Sequence, residues 1–324
     1  MLVLVFDPFR GAAGDMIVGS LLDCGANRKS VVQAMQSVIA EPEITSVTRA
    51  GIRAIKVNTR VAPTHRTLAD VMKRLNDAAG NIPPEALAMA KRVFMRINDA
   101  EELVHGSYAH FHEVGADDAI ADVIGACTAF HSLGVEAVAV MPVTLGWGSG
   151  TGSHGTFPIP APATAAILSR AGLPVRSGKE EGELCTPTGA ALLAEFSTIS
   201  ATDLGSYTIK TVGYGAGTRD PIDVPNVIRA MVIETTGDNM PLQSDMVDIL
   251  ETNVDDVSGE LIAHTITRFV EKGARDASAI PILMKKGRPG FLIRIICAQD
   301  TSAELAELMA QELGTLGIRC IPAV

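Results

Sequence analysis

The stretch Val104–Asp122, VHGSYAHFHEVGADDAIAD, gathers three of the chain's seven histidines and four of its carboxylates. His110 and His112 alternate about Phe111. In an extended segment, period two puts both imidazoles on one face, with Phe111 and Glu113 on the other. Two converging imidazoles suit zinc, nickel, cobalt or manganese. Asp118 and Asp122 stand four apart and share one face of a helix. Each residue alone has a plainer reading: Asp118 as a helix N-cap worth about 1 kcal/mol, Asp117 as its solvated neighbour. The combination favours a metal site over a cap.

Other polar groups stand at turns. Gly11-Ala-Ala-Gly14-Asp15 follows an apolar run and opens a helix, so its backbone N–H groups could meet an anion at the helix start. It has neither GxGxxG nor a Walker lysine, and taken alone a tight turn with Asp15 as cap or first-turn charge is the better reading. His154 ends a glycine-dense stretch, GWGSGTGSHG, where a histidine is a poor core residue, so that ligand contact and a solvated loop histidine are equally good readings. Thr186 and Thr188 in TPTG place hydroxyls at a helix start, for an anion, a sugar or a cap. Arg219, in GYGAGTRD, is a fork for phosphate or carboxylate in an expected hairpin-like loop. Farther on, Glu251, Asp255 and Asp256 end one strand while Lys285, Lys286 and Arg288 fill a turn. If the two meet, the acids could hold a divalent ion and the bases phosphates.

The elements that must position these groups follow from periodicity. Met1–Phe6 reads as a buried strand and Met16–Cys24 as a helix ending at Gly25; Ile44–Val61 is strand-like. Helices are expected over Thr67–Asn76, Pro83–Val104 and Asp118–Leu133, then a strand over Ala137–Val143. Gly146–Gly155 is expected to be loop, followed by helices Ala163–Ala171 and Thr188–Phe196 and strands Tyr207–Thr211 and Val227–Ile233. A polar linker, Thr235–Asp245, separates a first domain, 1–237, from a second, 244–324. In the second, strand Met246–Asn253, helix Gly259–Gly273, hairpin Ala277–Met284 and Phe291–Cys297, helix Ser302–Leu313 and strand Ile318–Pro322 give the order βαββαβ of the ferredoxin-like plan. The fold class is α/β (α+β overall): an N-terminal α/β domain of open topology followed by a ferredoxin-like domain.

Composition narrows the function. With 324 residues, 47% hydrophobic and 20% charged, the chain builds a packed interior. A formal charge of −10 and only 4% aromatics argue against nucleic acid as partner. The five cysteines are scattered and form no CxxC pair, so neither a disulfide framework nor a structural zinc site is expected. The apolar N-terminal run stops at Asp7 and no later stretch reaches the ~18 apolar residues of a membrane helix. A reduced, cytoplasmic chain is expected.

Seven segments in order, GAAGDM, VHG with HFHEVGADDAIAD, HGTFPIPAPAT, CTPTGAALL, GYGAGTRD with PNVIR, ETNVDDVSGE and LMKKGRPG, resemble the LarC family of nickel insertion proteins. The resemblance runs over essentially the whole chain. It implies a chelatase that inserts Ni(II) into pyridinium-3,5-bisthiocarboxylic acid mononucleotide, with CTP and Mn(II) or Mg(II). It implies nickel handling by the first domain, with His105, His110, His112, Asp118 and Asp122 as ligands and Glu113, His154 and Asp15 in catalytic roles. Gly11, Gly14, Thr186, Thr188 and Arg219 would bind the substrate. Asp255 and Asp256 would hold the nucleotide's metal, and Lys285, Lys286 and Arg288 its phosphates. The implied partners are a sulfur-insertion enzyme, a lactate racemase-like apoenzyme and further copies of the chain, with no nucleic acid and no membrane. Where the family has Cys and Ser, this chain has Pro8 and Arg10, so a thiol or hydroxyl role there is missing or moved. The family also continues beyond LGIRCIPAV, so a chain ending at Val324 is expected to be a short or truncated form with impaired turnover. Two rivals remain: a metal-dependent phosphoester or nucleotide hydrolase, and a nickel carrier without chemistry.

Overall fold

The structure, a computed structural model, describes residues 1–59, 66–106, 116–152, 155–221, 224–235 and 246–323. The chain divides into two compact units, Met1–Gly237 and Asp238–Val324.

The first unit begins with β1 (Leu2–Asp7), a run of alternating apolar side chains buried on both faces. Leu4 and Phe6 enter the main core, while Val3 and Val5 join a smaller cluster on the opposite face with Leu204, Met231 and Ile233. Such two-sided burial explains an unbroken LVLVF rather than an alternation of apolar and polar. Then follow α1 (Gly14–Asp23), α2 (Arg28–Gln36), β2 (Glu43–Arg49), β3 (Ile52–Asn58), α3 (Leu68–Asp77), α4 (Pro84–His105) and α5 (Asp117–Leu133). After these come β4 (Ala137–Val140), β5 (Val143–Trp147), β6 (Ser149–Gly152), β7 (Gly155–Pro158), α6 (Pro162–Ala171), β8 (Val175–Glu181), α7 (Pro187–Phe196), β9 (Tyr207–Ala216) and β10 (Val227–Thr235). The main sheet has the order β2-β3-β9-β10-β1-β4. It is mixed: β1 runs parallel to β4 and antiparallel to β10.

Two expectations fail here for one reason. Gly213 and Gly215 are not in the loop but in the end of β9, beneath α1, while Arg219 and Asp220 do lie, as expected, in the loop that joins the antiparallel strands β9 and β10. A Cβ on Gly215 would fall 1.7 Å from the Met16 carbonyl oxygen. Gly146–Gly155 is likewise largely strand, in β5, β6 and β7, where a Cβ on Gly146 would stand 1.9 Å from the Gly182 carbonyl. Glycine density marks close backbone approach in both places. Helix α2 was not expected; Asn27 caps it by accepting from the Ser30 N–H at 3.1 Å. Strand β8, VRSGKEE, was not expected either, because it lacks an alternating apolar face.

The second unit contains β11 (Val247–Val254), α8 (Gly259–Glu271), β12 (Asp276–Met284), β13 (Arg288–Ala298), α9 (Ser302–Leu313) and β14 (Arg319–Ala323). The antiparallel sheet order β12-β13-β11-β14, with both helices on one apolar core around Phe269, Ile295 and Met309, is the βαββαβ arrangement expected from the sequence. All five cysteines are free thiols. Among the described residues no helix is long and apolar enough to cross a membrane.

Candidate functional site

A cleft of about 480 Å³ opens in the first unit where three connections meet. They are the β1–α1 turn, the segment from β8 into α7, and the loop after β9. Two backbone hydrogen bonds hold the first two together: Ala12 N–H to the Leu184 carbonyl at 3.1 Å, and Thr186 N–H to the Ala12 carbonyl at 3.0 Å. The N-cap residues of α1 and α7, Ala13 and Thr186, therefore both line the cleft.

Asp15 lies in the first turn of α1, where a negative charge meets the positive end of the helix dipole. Of the two expected roles, cap or first-turn charge, it takes the second, since the N-cap is Ala13. Asp15 Oδ1 accepts from the Met16 N–H at 2.8 Å, and Oδ2 stands 2.5 Å from Lys56 Nζ, which also donates to Thr218 Oγ1 at 2.8 Å. Asp122 reaches across from α5 and accepts from the Asp15 N–H, supplying the cap that Ala13 cannot. Burial, then the charges of Asp15 and Asp118, pushes the Asp122 carboxyl well above the usual carboxylate range, against the pull of Lys56. Asp122 Oδ1 is buried and has no hydrogen-bond partner among the described residues.

Asp118 and Asp122 do share a face of α5, and both act on the same electrostatic neighbourhood as Asp15. The helix starts one residue earlier than expected, with Ala116 as N-cap, so Asp118 is a first-turn residue; its Oδ1 accepts from the Ala119 N–H at 2.8 Å. Asp117 is not solvated: it binds Arg66 at 2.9 Å and Arg74 at 3.4 Å. His105 ends α4, partly exposed and 3.4 Å from Glu101 Oε2. Its helix and α5 flank the segment that carries His110, His112 and Glu113, which lie outside the described residues, as does His154. Among the described residues no three His, Cys, Asp or Glu side chains are grouped to hold a metal ion.

Of the expected substrate-binding residues, Thr186 and Arg219 line the cleft, while Gly11, Gly14 and Thr188 do not. Both glycines have packing reasons instead. Gly11 has φ +81°, its N–H is spent on the Pro8 carbonyl, and a Cβ would stand 2.0 Å from the Leu184 carbonyl oxygen. A Cβ on Gly14 would meet Asp122 Cβ at 2.7 Å. Thr186 caps α7 by accepting from the Gly189 N–H at 3.1 Å. Arg10, where the resemblance expected a hydroxyl, is 6% exposed, lines the cleft and pairs with Glu180. Cys185, beside Thr186, has its thiol pushed up to about 12 by burial, so it is no thiolate.

In the second unit the acids and bases do meet: Arg288 Nη1 stands 3.3 Å from Asp255 Oδ2. The pairing of β11 with β13 brings the end of one strand beside the turn that begins the other. Lys285 and Lys286 occupy that turn, Lys286 at φ +64°, and Asp256 is exposed next to Asp255. Sequence reasoning missed Lys56 and Glu181; neither sits in a motif, and only the fold brings Glu181 to the cleft and Lys56 onto its lining residues Asp15 and Thr218.

A family model described as "Nickel insertion protein" matches residues 4–324. Proteins provisionally named as nickel insertion proteins are similar over nearly the whole chain. The one from Methanococcoides burtonii is 44% identical, covering 99% of this chain and 81% of that protein. Those from Methanothermobacter thermautotrophicus and Geotalea daltonii are each 39% identical, covering 100% of this chain and 80% and 83% of theirs. A solved structure of LarC2, the C-terminal domain of a cyclometallase involved in the synthesis of the NPN cofactor of lactate racemase, is 32% identical over 24% of this chain and 55% of that one. Its TM-score is 0.24, a likeness too limited to bear on fold or function.

Proposed function

The chain belongs to the nickel insertion protein family, and from that membership we propose that it inserts Ni(II) into pyridinium-3,5-bisthiocarboxylic acid mononucleotide in a CTP-dependent reaction. What carries the reading is that the family match runs across both units. The cleft of the first and the Asp255–Arg288 pair of the second thus belong to one matched chain.

In this reading the first unit handles nickel and substrate. Ni(II), the cargo, is collected by His110 and His112, with His105, Asp118 and Asp122 as further ligands. Imidazoles must be neutral to bind, so nickel affinity falls as pH drops. Glu113 or a histidine takes the ring proton as the nickel–carbon bond forms. Asp15, fixed by Lys56 and carried on the wall of the cleft, orients the first turn of α1 toward the substrate. The second unit holds CTP: Asp255 and Asp256 provide hard oxygen ligands for Mn(II) or Mg(II), and Lys285, Lys286 and Arg288 take the phosphates. Exposed acids beside three bases fit a metal-bound triphosphate, which supplies a cleavable phosphoanhydride.

The test is to mix the chain with the apo-pincer nucleotide, Ni(II) and CTP and to weigh the products. A nickelated nucleotide that requires CTP supports the reading. Phosphate release from generic nucleotides without nickel would make the chain a hydrolase. Nickel binding with neither product nor CTP dependence would make it a carrier. Replacing His110 and His112 by Ala should lower nickel affinity in calorimetry; unchanged affinity sinks their assignment.

A further inference from the structure

The loop after β9 is held by the edge hairpin of the main sheet. Strands β2 and β3 are joined by a two-residue turn, Ala50 and Gly51, both at positive φ, +41° and +84°. Such a turn matches the right-handed twist of its strands. Arg49 pairs with Ile52, Val47 with Ala54 and Thr45 with Lys56, so period two places Arg49, Val47, Ala54 and Lys56 on one face.

That face meets the loop at its root and at its middle. Val47 and Ala54 pack in one apolar cluster with Ala216, the last residue of β9, and Val227, the first of β10. Arg49 Nη1 donates to Asp220 Oδ2 at 2.9 Å, and Lys56 Nζ to Thr218 Oγ1 at 2.8 Å. The Arg49 side chain is 15% exposed against 56% for Asp220, so a sheltered guanidinium draws a rim residue onto the body of the unit. Asn226 closes the loop from within: its Nδ2 donates to the Arg219 carbonyl at 3.0 Å, and its own carbonyl accepts from the Gly217 N–H at 2.9 Å.

The loop residues Gly217 to Pro221 all line the cleft. Arg219 stands between the two gripped residues, its guanidinium against Gly182 on the segment from β8 into α7, where a Cβ would come within 2.9 Å of Nη1. Keeping a long side chain there costs rotamer and backbone freedom, which the contacts on either side offset. We propose that Arg49 is a positioning residue of the cleft: with Lys56, on the same face of the β2–β3 hairpin, it holds Thr218 to Asp220 so that Arg219 stays across the cleft from the hairpin, against Gly182. The consequence for turnover rests on the reading that the first unit receives the substrate of nickel insertion.

NMR order parameters of backbone amides in the full chain read the holding of the loop. Thr218, Arg219 and Asp220 should lie near the rigid value of about 0.85 in the parent and fall below about 0.6 in Arg49→Met. Arg49→Lys, which keeps the charge, should restore part of the order. Asp220→Asn removes the same pair from an exposed side chain, so it should fold, loosen the same amides and carry the test if Arg49→Met does not fold. With the pincer nucleotide varied in the nickelation assay, Arg49→Met and Asp220→Asn should each raise KM about fivefold and leave kcat unchanged, the scale of one partly exposed ion pair. Unchanged order parameters, loosening that spreads through β2, β3 and β9, or a loosened loop with unchanged KM overturns the positioning role. If the loop loosens as stated and Arg49→Lys restores it, yet the parent chain yields no nickelated nucleotide, the holding of the loop stands and the proposed function falls.

Discussion

Lys56 Nζ stands 2.5 Å from Asp15 Oδ2, so an ammonium on β3 secures the first turn of α1. The same ammonium reaches Thr218 in the loop after β9, and its charge offsets the burial of Asp122. One cation thus ties three chain segments together at the rim of the cleft, where two carboxylates on different helices face each other.

Replacing Lys56 by Met should therefore do more than remove a surface ion pair. Both partners are mostly buried, with side chains 13% and 20% exposed. Asp15 and Asp122 would be left in mutual repulsion. A loss of roughly 2–3 kcal/mol in denaturant unfolding at pH 7 is expected, somewhat below the cost of breaking a fully buried pair. Adding Asp15→Asn should recover part of it. A loss under ~0.5 kcal/mol would mean that the pair is solvated and inert.

Asp122→Asn should act in the opposite direction. Burial holds the Asp122 carboxyl above its ordinary pKa in the folded chain. At neutral pH the group is ionised when unfolded and is penalised for charge when folded, so it costs stability. That cost fades as pH falls toward the unfolded value of about 4. The amide oxygen still accepts from the Asp15 N–H. Thermal unfolding should rise by about 2–4 °C at pH 7, the equivalent of roughly 1 kcal/mol in a unit of this size, and be unchanged at pH 4. No gain at pH 7 would refute the charge penalty.

The sequence shows where these groups begin but not how they meet. Period-two and period-3.6 patterns, with glycine stops, are strong for β1, α5 and the whole second unit, whose βαββαβ order and Asp255–Arg288 proximity follow from them. The sharing of one face by Asp118 and Asp122 was legible from spacing alone. Asp117 was misread because its partners, Arg66 and Arg74, come from more than forty residues away. Lys56 and Glu181 were invisible for the same reason: an isolated lysine in a strand and a glutamate in a polar one carry no local signal. Glycine runs misled in the other direction, since closeness of backbones and looseness of loops use the same residue.

Gly11→Ala and Gly25→Ala separate those two uses. Both glycines have positive φ, +81° and +103°, so each substitution carries about 1–2 kcal/mol of backbone strain. Around Gly25 nothing lies within 4 Å of a Cβ, whereas at Gly11 the Cβ would stand 2.0 Å from the Leu184 carbonyl oxygen. Gly25→Ala should stay near the strain cost; Gly11→Ala should exceed ~3 kcal/mol or fail to give folded protein. Similar unfolding free energies for the two would refute tight docking of the β1–α1 turn on the segment before α7.

Asp255→Asn distinguishes a ligand role from a structural one. The bond to Arg288 is exposed on the arginine side, with that side chain 64% accessible, so its loss should change stability by no more than about 1 kcal/mol. If Asp255 helps to hold a metal-bound nucleotide, calorimetry should show CTP with Mn(II) binding about tenfold more weakly. Unchanged nucleotide affinity would remove Asp255 from the proposed site.

Glu251 is the opposite case, an acid whose work lies in the sheet. It sits on the central strand β11, opposite Arg294 on β13 and Arg319 on β14, at 2.7 Å and 3.5 Å. The hydrogen bond from Arg294, aided by both positive charges, holds its carboxyl below the usual range. Its contribution is therefore complete above the unfolded pKa of about 4.3 and is lost as pH falls through the lower folded value. Glu251→Gln should lower stability at pH 7 by roughly 1–3 kcal/mol, because two guanidinium groups lose their shared acceptor. It should also flatten the acid side of the profile, so that the variant and the parent chain converge as pH falls through the lowered folded value. Hydrogen exchange of β11 amides in the full chain reads this unit separately from the first. A variant whose loss of protection does not shrink as pH falls would show that packing, not charge, keeps Glu251 where it is.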